Sequence, residues 1–241
     1  MIQTREKTRS FAAAVTLALI LSFVGALVAA ELQAIKLNPP DLKRGLPFMQ
    51  ALSVKASARE FSEKELSLQD LSDLLWAADG INRPAENKST ASSAMNAHDV
   101  RIYVFMKEGA YLYDAPKHEL APVLAGDYRS QIMRARPPRP AAPAAPPAGA
   151  AAAPPPPPAN PPVQIILVSD PERFRRGTPE LKLEWGALDA GIVSQNISLF
   201  CAATGLKTVP RASMDKDKIK YLLKLADTLN IFLNHPIGYA K

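Results

Sequence analysis

Val163-Gln164-Ile165-Ile166-Leu167-Val168 is the stretch on which the fold turns. It is a nearly unbroken run of β-branched and aliphatic side chains, the pattern of a strand buried on both faces. Residues 137–162 lie immediately before it, with thirteen prolines and ten alanines in 26 positions. Proline fixes φ and lacks an amide proton, so neither helix nor sheet propagates through a run such as Pro154–Pro158. The segment reads as an extended, polyproline-like spacer, up to about 80 Å long if fully stretched. The pieces on either side are each short, and short pieces bury proportionally little surface. Both are therefore expected to contribute to one sheet, with the spacer as an insertion. The expected fold class is α+β with three layers, helices lying on both faces of the sheet.

Working outward, Ser67 is placed to cap a helix in which Leu68, Leu71, Leu74, Leu75 and Ala78 recur at helical spacing, with Gly80 as its stop. Val100–Met106 reads as a strand with Tyr103 and Phe105 on one face, turned at Glu108-Gly109 and returned by Tyr111-Leu112-Tyr113. Beyond the spacer, Leu188–Ala203 reads as a long apolar helix ended by Gly205. Ser213 is expected to cap a third helix, with Asp215 and Asp217 in its first turn and Ile219, Leu222 and Leu223 on its buried face. Asn230–Leu233 reads as a last strand, ended by His235-Pro236.

Arg5, Lys7 and Arg9 precede an uncharged apolar run from Phe11 to Ala30 that closes on Val28-Ala29-Ala30. A charged start, an apolar centre and a small-residue exit make residues 1–30 a secretory signal peptide, with cleavage after Ala30 and export, in a bacterium to the periplasm. The alternative is a retained anchor facing the periplasm, since the run could just span a bilayer. Without an Arg-Arg pair, a Sec-type route is favoured over the twin-arginine one.

The net charge of +6 is a mild excess with no Lys/Arg stripe interleaved with aromatics, so nucleic-acid binding is not supported. Cys201 is the single cysteine and sits among apolar residues, which excludes an intrachain disulfide and favours a small core residue over a catalytic thiol. His98, His118 and His235 are far apart and show no metal-ligand spacing.

Three segments in chain order carry a resemblance. They are Lys55-Ala56-Ser57-Ala58-Arg59-Glu60-Phe61, then Ser92-Ser93-Ala94-Met95-Asn96-Ala97-His98-Asp99, then Gly191–Asn196 followed by Gly205–Pro210. Together they resemble the FMN-dependent nitroreductase family, and within it the branch related to thiazole- and oxazole-forming dehydrogenases. The resemblance implies the nitroreductase α/β/α sandwich, an FMN cofactor and a homodimer with flavin at the interface. Residues 31–241 would then be one such domain, interrupted by the spacer. Lys55, Ser57 and Arg59 match the family segment that holds the FMN phosphate. Two cations and a hydroxyl suit a group carrying close to two charges and several acceptor oxygens. Lys55 stands where Arg is usual, keeping the charge but losing the bidentate fork. Ser93 and Asn96 match a stretch that reaches the flavin across the dimer interface, with His98 in place of Gln. After Val209-Pro210, the backbone amides of Arg211, Ala212 and Ser213 are expected to face the flavin ring, where many relatives have glycine.

No catalytic side chain stands out, in keeping with a family in which the flavin carries the chemistry. The expected function is an FMN-dependent oxidoreductase that passes electrons to a small acceptor, such as a nitroaromatic or quinone, by a ping-pong mechanism. The alternatives are a non-catalytic flavin- or ligand-binding module in the cell envelope and a structural envelope protein. Export favours an electron donor other than pyridine nucleotides, which are scarce outside the cytoplasm.

Overall fold

The computed structural model describes residues 31–133 and 160–241. The expected signal peptide (1–30) and positions 137–159 of the spacer lie outside the described residues. In chain order the elements are β1 (Ile35–Lys36), α1 (Phe48–Val54), α2 (Leu68–Asp79), β2 (Ile81–Arg83), β3 (Lys88–Ser89), β4 (Val100–Phe105), β5 (Gly109–Asp114), β6 (Glu119–Ala125), β7 (Val163–Ser169), α3 (Pro179–Thr204), β8 (Lys207–Thr208), α4 (Lys216–Leu223) and β9 (Asn230–Gly238).

Strand β7 is the buried run that opened the sequence reading, and every residue in it is buried. It lies near the middle of a seven-stranded sheet ordered β1-β6-β5-β4-β7-β9-β8, in which all pairings are antiparallel. Its partner β4 comes from the other side of the spacer, with Val100 opposite Ser169 and Phe105 opposite Gln164. Alternation along a strand sends successive side chains to opposite faces. Ile165 and Leu167 therefore join Val100, Ile102 and Val104 under α2 and α3. Ile166 and Val168 join Tyr103 and Phe105 under α4. A strand covered on both faces has no polar side to show, which accounts for the unbroken apolar run. The architecture is α+β, with α2 and α3 on one face of the sheet and α4 on the other.

Local chemistry sets the helix ends. The Ser67 side chain accepts from the Asp70 amide, and its hydroxyl donates to the Asp70 carboxylate at 2.6 Å. Arg44 pairs with Asp70 and Asp73, which fastens the segment before α1 to α2. Helix α3 begins nine residues earlier than its apolar run predicts. Thr178 caps it by accepting from the Leu181 amide, and Pro179 occupies the first turn, where its missing amide costs nothing. Gly205 ends α3 at φ 80°, in the left-handed region that glycine enters without strain.

Two other expectations are corrected. Asp215, not Ser213, caps α4, because Met214 is pulled into the core and the helix can start only after it. The last strand also does not stop at His235-Pro236: it runs on to Gly238, with Pro236 opposite Gln164. The Asn234 amide donates to Arg211 on the outer edge of the strand, so position 236 turns its nitrogen to that same edge. There β8 covers only Ile237 and Gly238, and a missing donor breaks no ladder bond.

Candidate cofactor site

Lys55–Arg59 leave the end of α1 and run along β8, where the Ala58 amide donates to the Thr208 carbonyl at 3.0 Å. Lys55, Ser57 and Arg59 are all exposed. From Thr208 the chain passes through Val209-Pro210 to Arg211, which pairs with Asn234 of β9. Pro210, Ala212 and Ser213 are exposed, and Arg211 is half-buried. Arg211 and Arg59 are close enough that the Arg59 charge adds to burial in lowering the Arg211 pKa. None of Lys55, Arg59 and Arg211 forms an ion pair among the described residues. Like charges held together without ion-pair partners make a site suited to an anion.

The ring-facing amides need one correction. The Arg211 amide is taken, donating to the Asn234 carbonyl at 2.9 Å. Ala212 and Ser213 remain, and neither amide has a partner among the described residues. Free main-chain donors beside unpaired cations fit a phosphorylated, electron-accepting group, so the residues present are compatible with FMN.

The second segment is held elsewhere. Asp99 accompanies β7 at Ser169 and Asp170, opposite the Asn230 end of β9, whereas Ala58 lies at the Ile237 end. Seven strand residues separate these ends, about 20 Å at 3.3 Å each. Within one chain, therefore, the first and third segments meet and the second does not join them. Met95, Asn96 and His98 all have positive φ (56°, 55° and 48°), a conformation that costs non-glycine residues energy and persists only where surroundings enforce it. Several bonds hold it. The Ser93 hydroxyl accepts from the His98 amide at 3.0 Å, and the Asp189 carboxylate accepts from the Ala94 amide at 2.8 Å. The Asn87 carbonyl accepts from His98 Nε2 at 2.9 Å and from Asn96 Nδ2 at 3.3 Å.

Sequence reasoning missed two sets of buried polar residues. Asn234 and His235 are fully buried in β9 but read as the polar end of a strand. Asp99 and Asp189 are buried side by side beneath the second segment. Burial pushes Asp99 up to about 7, the Asp189 carboxyl adds to this, and the Ser169 hydroxyl opposes it. Asp79 nearby is pushed up to about 6, again chiefly by burial. The sequence signal for Asp79 and Asp189 was their position within otherwise apolar stretches; Asp99, between His98 and Val100-Arg101, gave none.

A profile of the Nitroreductase family matches residues 53–239. The chain belongs to the nitroreductase family. A nitroreductase homologue of Methanocaldococcus jannaschii is 24% identical over 194 residues, covering 78% of this chain and 89% of that protein. Among solved structures, a nitroreductase homologue of Ralstonia eutropha superposes with a TM-score of 0.73 at 28% identity, covering 89% of this chain and 92% of that one. A chain of the Escherichia coli microcin synthetase McbBCD complex shares the fold, with a TM-score of 0.62 at 14% identity over 90% of this chain and 78% of that one. Both the Lys55–Arg59 segment and the 210–213 loop lie within the residues that the family profile matches.

Proposed function

We propose that this nitroreductase-family chain is an FMN-dependent oxidoreductase that works as a homodimer on small organic acceptors. One observation carries the reading: Lys55, Arg59 and Arg211, without acidic partners among the described residues, share one edge of the sheet with the free amides of Ala212 and Ser213. Lys55, Ser57 and Arg59 would bind the phosphate through charge-assisted hydrogen bonds. Ala212 and Ser213 would donate to the ring, and Arg211 would add positive charge beside it. Bound there, FMN supplies the hydride and electron transfer, accepting from a donor and passing to a nitroaromatic, quinone or similar acceptor in ping-pong order.

The second copy is supported by α3. The side of this helix away from the core carries Leu188 (60% exposed), Ile192 (37%) and Gly191, above which a Cβ would meet nothing within 4 Å. Leu188 and Ile192 are four residues apart and so share one outward stripe of the helix. Phe48 and Met49 on the neighbouring α1 are also exposed, at 64% and 73%, and extend the apolar surface. Closing that face would bring the Ser93–His98 loop of one protomer to the other's flavin, the arrangement the family resemblance implies. The domain proposed is 31–241 with the spacer looped out. Export to the periplasm after removal of residues 1–30 is likewise a proposal, and an intact Met1 in the mass spectrum of the purified protein would defeat it.

Titration of the apoprotein with FMN tests the site. Wild type is expected to bind and take on flavin absorbance. Arg59→Ala should bind at least about tenfold more weakly, as loss of a charge-assisted contact implies. Unchanged affinity would mean the phosphate is elsewhere. A protein that binds FMN but reduces no nitroaromatic or quinone with any donor would be the non-catalytic module, the alternative suggested by Lys55, His98, Ala212 and Ser213 departing from the family pattern.

A further inference from the structure

Resting on the flavin-site reading above, we propose that the buried pair Asn234-His235 positions the site's two halves, His235 holding the cationic segment and Asn234 the amide-bearing loop. Consecutive strand residues point to opposite faces of a sheet, so one dipeptide can grip a structure on each side. Both residues are 0% exposed. A buried polar side chain in mid-strand is costly unless its hydrogen bonds are made, so its partners indicate what it is for.

His235 faces α3. Its Nε2 lies 2.8 Å from Ser194 Oγ, and its Nδ1 lies 3.1 Å from Thr208 Oγ1. Burial, helped by the nearby Lys55 charge, holds the imidazole pKa down at about 3, so the ring is neutral. A neutral ring donates from one nitrogen and accepts at the other, and two hydroxyls can answer either arrangement. Thr208 is thereby fixed by its side chain while its carbonyl accepts from the Ala58 amide, between Ser57 and Arg59. The path runs from α3 through His235 and Thr208 to the cationic segment.

Asn234 faces the α4 side. Its backbone exchanges two hydrogen bonds with Arg211, at 2.9 and 2.8 Å. Its side-chain amide lies 3.5 Å from the Arg211 carbonyl and 3.4 Å from the Ser213 carbonyl. Those two carbonyls bracket Ala212 and Ser213, whose amides have no partner among the described residues. Asn234 Oδ1 is buried and has no partner among the described residues. Leucine at either position would suit the surrounding core, so the polar identities point to positioning rather than packing.

Hydrogen–deuterium exchange on the ligand-free protein, together with FMN titration, tests the pair. The variants are Asn234→Leu, His235→Leu and Thr208→Val, the last removing only the hydroxyl that His235 holds. Thr208→Val and His235→Leu should speed exchange at Ala58 at least about tenfold and leave 210–213 as in wild type. Asn234→Leu should do the reverse, speeding exchange at the Arg211 amide, the one amide in 210–213 with a partner among the described residues, and leaving Ala58 as in wild type. Each should weaken FMN binding about three- to tenfold, as loss of a neutral hydrogen bond implies. Uniform loosening of both segments, unchanged exchange, or altered exchange with wild-type FMN affinity would overturn the proposal. If His235→Leu does not fold, Thr208→Val decides the histidine arm. If wild type takes up no FMN, the flavin reading fails, and the segment-specific exchange pattern still decides whether the pair holds these two segments.

Discussion

Replacing Asp99 with Asn should make the protein more stable at alkaline pH and leave it nearly unchanged in acid. Asp99 is fully buried, and its Oδ2 accepts from the Ser169 hydroxyl. Its Oδ1 has no donor among the described residues, and the carboxyl lies close to Asp189, which itself accepts from the Ala94 amide. Two adjacent buried carboxyls are best served by one shared proton. Burial, followed by Asp189, raises Asp99 from 3.8 to about 7. The folded state therefore keeps a proton that the unfolded chain gives up, and stability is lost as pH rises from the unfolded value through the folded one. At about 1.4 kcal/mol per pH unit, that window has a ceiling of about 4 kcal/mol. Asn can accept from Ser169 and donate to Asp189, as the protonated acid does, but it cannot ionise. Urea unfolding should give matching stabilities near pH 4, with the variant ahead by about 2–4 kcal/mol near pH 8. His235 works in the opposite direction, costing stability as pH falls from its unfolded value toward about 3, but it does so in both proteins and cancels in the difference. Parallel pH–stability curves, or a variant weaker throughout, would refute the shared proton.

Gly186→Ala should lower Tm, because a Cβ there would lie 2.8 Å from Ser169 Cβ and force α3 off β7, at a cost of about 1–3 kcal/mol. An unchanged melting curve would contradict that close approach. Ile192→Lys, on the outward face of α3, should give a monomer by light scattering where wild type is expected to run as the proposed dimer; a dimeric variant would place the interface elsewhere. Ser67→Ala removes the cap of α2 and a hydrogen bond to Asp70, and should cost about 0.5–2 kcal/mol in chemical denaturation.

Much of the fold was legible because the patterns concerned are local. Helix α2 announces itself by a cap and leucines at helical spacing, β4 and β5 by a turn between aromatic runs, and β7 by a run with no polar face. The cationic segment stood out through its resemblance to the family's phosphate-holding stretch, since its charges and hydroxyl by themselves equally describe a solvated turn. Helix α3 was read short because Leu181 and Leu183 at its start face outward and add nothing to a buried periodicity. Strand β6 was missed because Pro122, Val123 and Ala125 leave it half exposed and without alternation.

By itself, the sequence determined that α2 is a helix and that β4, β5 and β7 are strands, and that the two sides of the spacer belong in one sheet. Only the tertiary structure decided that Arg59 comes near Arg211, that the Arg211 amide is already spent on Asn234, and that Ser93–His98 lies at the far end of the sheet. Periodicity and capping are properties of near neighbours along the chain. The partner of a buried polar atom, such as Ser194 for His235 or Ser169 for Asp99, comes from a residue dozens of positions away, and only the folded sheet brings the two together.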